Sequence, residues 1–206
     1  MGINAIIMGI WAAGGTGAVA SPWRLLSTET FNTNPAGKYS IRSESPSVSW
    51  DQTNSRLVLS NGTSQGFIAW DALGSFAGAV AFEIDVLFNS DGAVRKHFGM
   101  FCDSGASGIK GYRLCTLDNT VVFSRWVGSV ETAIGTFISN ATFTTGNTYT
   151  LRFERSRSNN WTAYINGSPC PVTFNDTTYG AIRPGFFVYG CSVYINELRI
   201  YDYVAV

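Results

Sequence analysis

The sequence predicts an all-β protein: a two-sheet antiparallel sandwich over residues 21–206, with a short extension at residues 1–20. Three observations predict it. Between Tyr149 and Pro169, Tyr149, Leu151 and Phe153 fall on one side of the chain, with Thr150, Arg152 and Glu154 on the other. After the polar stretch Ser156–Asn160 the alternation resumes through Trp161, Ala163 and Ile165, and period two of this kind marks strands with one buried face. Asn166-Gly167 then supplies two residues that tolerate positive φ in a type I′ turn. The second observation is composition: 14% aromatic residues and 22 glycines suit many strands joined by tight turns. The third is spacing, because apolar runs are separated by turn-forming stretches such as SNGTSQG, NSDGA and DSGASGIKG.

Taken in order, the extension comes first. Ile3, Ile6, Ile7, Ile10 and Trp11 follow helical spacing and form an apolar stripe that Gly14-Gly15 ends. A helix this short needs something to pack on, and both its own sandwich and a partner subunit fit. The stretch is too short to span a bilayer, which takes about 20 residues. Ala18-Val19-Ala20 resembles a cleavage site, but no Lys or Arg precedes Arg24, so it does not read as a signal peptide. Strands are predicted at 47–50, 56–60, 67–71, 80–88, 97–102, 112–117, 121–127, 133–137, 149–154, 162–165, 185–189 and 193–201. The last has a parity slip: Val193 and Ile195 share one face, Leu198 and Ile200 the other. A β-bulge near Asn196-Glu197, or a switch of sheets, absorbs the extra residue.

Composition also excludes functions. Charged residues make up 14% and the formal net charge is zero, which argues against a nucleic-acid partner. Cys102, Cys115, Cys170 and Cys191 lack the spacing of a zinc or redox site and read as small buried hydrophobes, with Cys102 set opposite Tyr112 in a hairpin. His97 is the only histidine, so neither a histidine metal site nor a Ser-His-Asp triad is supported, and it reads as a packed or strand-edge residue. Gly14-Gly15-Thr16-Gly17 lacks the lysine of a phosphate loop. The sequons at Asn61, Asn140, Asn160, Asn166 and Asn175 read as turn and strand chemistry without a secretory route.

The segment YTLRFERSRSNNWTAYINGSP and the closing VYINELRIYDY resemble the hairpin and last strand of concanavalin A-like and laminin-G-like jelly-roll domains. SVSWD…LVLSNG, HFGMFCD and GYRLCTLD extend the resemblance to 3-keto-disaccharide-hydrolase-like domains, where a Gly-Tyr-Glu often stands in place of Gly111-Tyr112-Arg113. The resemblance implies a lectin-like sandwich. Glu83 and Asp85 are similar to the start of the E-x-D-x-E strand of laminarinase-type glycoside hydrolases, but Leu87 stands where the acid/base would be, so no catalytic residue is assigned. Calcium is implied only by fold analogy: Asp51, Asp71, Asp103, Asp118 and Asp176 sit near strand ends, without a clustered ligand loop, and no metal or other cofactor is expected.

Sugars pack on exposed aromatic faces flanked by planar hydrogen-bonding groups. Tyr112, Arg113, Arg125, Trp126 and Trp161 are the glycan-binding candidates, although alternation puts Tyr112 and Arg113 on opposite faces, and Arg125 and Trp126 likewise. The outward residues Arg152, Glu154, Thr162, Tyr164 and Asn166 form either a contact surface or a solvated sheet face. The Ala/Gly-rich opening fused to a lectin-like sandwich looks like bacteriophage virion proteins. That resemblance implies a non-enzymatic decoration or appendage protein, assembled in the host cytoplasm. Its partners would be other virion proteins, copies of itself and possible host-surface polysaccharide, and Ile3, Ile6, Ile7, Ile10 and Trp11 would be the anchor. The alternatives are a free carbohydrate-binding module and a glycoside hydrolase of the laminarinase type.

Overall fold

A computed structural model describes residues 21–43, 46–91, 97–105, 108–117, 120–128, 130–138, 143–171 and 173–204. The predicted stripe at Ile3, Ile6, Ile7, Ile10 and Trp11 lies outside the described residues. The strands are β1 (Trp23–Glu29), β2 (Tyr39–Ser43), β3 (Ser47–Asp51), β4 (Arg56–Trp70), β5 (Phe76–Ala77), β6 (Val80–Asp91), β7 (His97–Asp103) and β8 (Gly111–Leu117), followed by β9 (Thr120–Val127), β10 (Val130–Ile138), β11 (Thr148–Arg155), β12 (Asn160–Ile165), β13 (Ser168–Pro169), β14 (Phe174–Asn175), β15 (Ala181–Ile182) and β16 (Gly185–Tyr203). All pairings among them are antiparallel, and the described residues contain no α-helix. None of their helical turns is long and apolar enough to cross a membrane.

The two layers are one curled sheet. β4 and β16, at 15 and 19 residues, run through both layers side by side. Their C- and N-terminal halves pair from Ala69↔Gly185 to Gln65↔Tyr189, and their other halves pair from Asn61↔Cys191 to Leu57↔Ile195. The front layer is therefore β2, the end of β4, the start of β16, β7, β8, β9 and β10. The back layer is β3, the start of β4, the end of β16, β6, β11, β12 and β13, with β1 beside the last residues of β16.

This corrects two predicted connections. SNGTSQG is not a chain reversal, and the segments ending at Tyr189 and starting at Val193 are one strand. Turn formers serve a bulge as well as a turn: Gly190 takes φ +66°, opening the register where the ribbon passes between layers. β1 and β2 fall where no strand was delimited. The predicted slip near Asn196-Glu197 is present as a register shift between Ile195 and Glu197. Asn166 and Gly167 take φ +49° and +77°, as the type I′ turn requires. Cys102 pairs with Tyr112 as expected, and all four cysteines are free and buried, burial pushing the thiols of Cys115 and Cys170 up to about 11 and about 12.

Between the layers lies the core, including Trp70, Phe82, Phe98, Tyr112, Phe123, Phe153, Trp161 and Phe186, each 1% exposed or less. Each such side chain contributes about 1.5–3 kcal/mol by leaving water. Fully buried Arg155 donates to the carbonyls of Phe76, Gly78, Tyr179 and Gly180, tying the β5–β15 pair and the segment before it to this core.

Candidate functional site

The five glycan-binding candidates do not form one site; alternation separates them as expected. Tyr112, Arg125 and Trp161 gather on the inner side of the sandwich around Asp176. The Tyr112 hydroxyl donates to Asp176 Oδ1 at 2.6 Å, Arg125 Nη1 to Oδ2 at 2.6 Å, and Trp161 Nε1 to the Asp176 carbonyl at 3.4 Å. Burial pushes the Asp176 carboxyl up, but the bonds from Tyr112 and Thr178 and the Arg125 charge outweigh it and hold it below the usual carboxylate range. Tyr112 and Trp161 are core residues, so this cluster is a clamp rather than a sugar site.

Arg113 and Trp126 lie on the outward side of the front layer, where they are sealed, each 6% exposed. Phe67 packs there against Phe101, Trp126 and Phe187 at centroid distances of 4.9, 5.0 and 4.9 Å. Arg113 lies 4.6 Å over the Phe187 ring and ion-pairs with Glu131. His97, also 6% exposed, packs edge-on to Tyr189 at 5.5 Å. A sugar cannot stack on Trp126 in this arrangement.

The outward side of the back layer is different. Glu83 meets Arg199 Nε at 2.7 Å, Arg152 Nη1 at 3.3 Å and the Tyr201 hydroxyl at 3.1 Å. Asp85 meets Arg199 Nη2 at 2.7 Å and the Thr150 hydroxyl at 2.6 Å. The glycosidase-like pair is thus committed to arginines. Burial, and then the Glu83 carboxylate, push the Tyr201 phenol up to about 12.

At one end of this side lies a groove of about 420 Å³ lined by Trp23, Glu154, Ser156, Ser158, Asn160, Thr162 and Thr173. β1 brings Trp23 to it: the ring is partly exposed, edge-on to Tyr203 at 5.4 Å and 5.7 Å from the Arg152 guanidinium carbon. Alternation in β11 and β12 turns Glu154 and Thr162 into the same space, and the two residues are directly paired. The connecting loop is tight, with Asn159 at φ +59°. It is cross-linked by Ser156 Oγ to Ser158 Oγ at 3.0 Å, Asn160 Nδ2 to Ser158 Oγ at 3.1 Å and Asn175 Nδ2 to Asn160 Oδ1 at 2.9 Å. Glu154 accepts from Arg152 Nε at 2.7 Å and from the Tyr164 hydroxyl at 3.1 Å. Burial and the Glu154 charge push that phenol up to about 12, so it remains a donor at neutral pH. The groove therefore presents an aromatic wall and polar groups already fixed in place, which lowers the entropic cost of binding.

Of the outward set, Glu154 and Thr162 line this groove and Arg152 and Tyr164 hold Glu154, whereas Asn166 sits in the far turn and accepts from Thr150 N at 2.9 Å. Trp23 was not singled out from sequence. Its only available signal was an aromatic residue after Ser21-Pro22 in a stretch whose alternation breaks at Leu25-Leu26. The aspartates considered for calcium are occupied: Asp51 by Arg56, Asp71 and Asp103 by Arg42 and Arg183, and Asp176 by Arg125. Burial pushes the Asp103 carboxyl up despite Arg42 and Arg183. Asp118 lies outside the described residues. Among the described residues no three His, Cys, Asp or Glu side chains come together as a metal site.

No family model matches the sequence, and no curated protein does. Solved structures do match in fold. A carbohydrate-binding module, CBM66, from Bacillus subtilis superposes with a TM-score of 0.64 at 12% identity, over 78% of this chain and 94% of that one. The Emp47p carbohydrate recognition domain gives 0.62 at 14% identity, over 87% and 97%. A GlcNAcα1-4Gal-releasing endo-β-galactosidase from Clostridium perfringens gives 0.61 at 11% identity, over 95% of this chain and 66% of that one. At such identities the likeness is one of fold: this chain is built as a jelly-roll β-sandwich of the kind found in lectins and carbohydrate-binding modules.

Proposed function

We propose that this protein is a non-enzymatic carbohydrate-binding module whose sugar site is the groove beside Trp23. One observation carries the reading: a partly exposed indole stands next to a cross-linked set of hydroxyls, an amide and a carboxylate, in a depression within the size range of small-ligand sites. Neighbours in fold that are carbohydrate-binding modules or carbohydrate recognition domains support it. The endo-β-galactosidase shows that the fold also hosts glycosidases, but here Glu83 and Asp85 are held by Arg199. A glycan array followed by calorimetry tests the reading. At least one polysaccharide class should bind without being cleaved, and Trp23→Ala should weaken it about tenfold or more, equivalent to about 1.4 kcal/mol. Silence across the array, or binding indifferent to Trp23→Ala, contradicts it.

The finer part of the proposal is the setting. The module is carried on a virion, where it binds host-surface glycan, and the stripe Ile3, Ile6, Ile7, Ile10 and Trp11 docks it to other virion proteins or to copies of itself. The support is the resemblance of the Ala/Gly-rich opening to phage virion proteins. Deleting residues 1–20 should abolish particle incorporation or self-association; if both are unchanged, the anchor role fails.

A further inference from the structure

We infer that the groove selects neutral glycans and uses Glu154 to turn anionic sugars away. This rests on the sugar-binding reading above.

Charge decides the class. Of the lining residues only Glu154 is charged, and it is negative. Among the described residues, every cation nearby is paired, buried or outside the lining. Arg152 is shared between Glu83 and Glu154 and lies 4.2 Å over the Tyr201 ring. Arg24 pairs with Asp202 at 2.9 Å. Arg155 is fully buried and gives its N–H groups to backbone carbonyls. Arg157 is exposed and lies 5.0 Å over the Tyr203 ring, outside the lining, where solvent and salt screen it. A carboxylate or sulfate seated in the groove would meet Glu154, whose partner Arg152 is shared with Glu83, at the edge of a network in which, among the described residues, the carboxylates Glu83, Asp85, Glu154 and Glu197 face only Arg152 and Arg199. Sugar hydroxyls instead match what is offered, because Ser156, Ser158, Thr162 and Thr173 can both donate and accept, and the Asn160 amide can as well. Like-charge rejection of the wrong ligand is a standard route to specificity.

Calorimetry on the full chain tests this, with neutral oligosaccharides of increasing length set against uronic-acid, sulfated and sialylated counterparts. Affinity for the neutral glycans should change little with added salt. Anionic counterparts should bind about tenfold more weakly or worse. Glu154→Gln should narrow that gap to about threefold or less, while Arg157→Ala leaves it in place. Circular dichroism on both variants checks that they fold. If anionic glycans bind as tightly as neutral ones and still depend on Trp23, the selectivity claim is overturned while the site stands. If Glu154→Gln folds and leaves the gap unchanged, Glu154 is not the selector. If binding of any glycan is indifferent to Trp23→Ala, the site itself is misplaced.

Discussion

The outward sides of the two layers use the same residue types to opposite ends. On the front layer, Trp126 and Arg113 are stacked into a sealed set with Phe67, Phe101 and Phe187, and Arg113 answers to Glu131. On the back layer, Trp23 and Arg152 stand at the rim of a groove above a network of carboxylates and arginines. An arginine beside a tryptophan therefore identifies neither a sugar site nor a packing motif. What separates them is whether the ring keeps a face to water. The sealed side contributes stability through burial. The open side keeps its polar groups fixed by hydrogen bonds and leaves its aromatic wall available.

The largest effect should come from breaking the sealed side. Phe67→Ala removes a fully buried ring at the centre of the front cluster and should destabilise by about 3–5 kcal/mol in chemical denaturation. Glycan affinity per folded molecule should be unchanged, and a specific loss of affinity would move the site to the front layer. Next is the clamp beneath the segment carrying Thr173. Asp176→Asn exchanges the acceptor for Tyr112 and Arg125 and should cost about 1–3 kcal/mol at neutral pH. Because the folded carboxyl lies below its unfolded value of about 4, its contribution is complete above that pH. It is then lost as pH falls through the folded value. A melting profile against pH should therefore flatten on its acid limb in the variant. Smallest is the open network: Glu197→Gln removes one partner of Arg199, which keeps Glu83 and Asp85, and should cost no more than about 0.5 kcal/mol. A cost above about 2 kcal/mol would make the back side as structural as the front.

Much of the fold was legible because period-two alternation reports directly on burial. Tyr149, Leu151 and Phe153 point inward, the Asn166-Gly167 turn forms, and the parity slip between Ile195 and Leu198 is a real bulge. The sheet switch was not legible. Asn61-Gly62 and Gly190 carry the same chemistry whether a chain reverses or merely bends, and only the pairing of β4 with β16 distinguishes the two. The candidate site was half legible. Glu154 and Thr162 lie on a well-patterned hairpin. Trp23 sits on a strand whose alternation is interrupted by a bulge between Leu25 and Ser27 and whose partner, Tyr203, lies at the other end of the chain. Alternation also separated Tyr112 from Arg113 correctly, but it could not reveal that the outward side of the front layer is closed.

The contrast between the two sides is tested most directly by the tryptophan indole N–H resonances of the folded protein during titration with a glycan that binds. The account predicts that the Trp23 signal, assigned through Trp23→Ala, shifts together with the backbone amides of Asn160 and Thr162 while Trp126 stays fixed. Movement of Trp126 and its neighbours Phe67 and Phe187, with Trp23 unchanged, would contradict it.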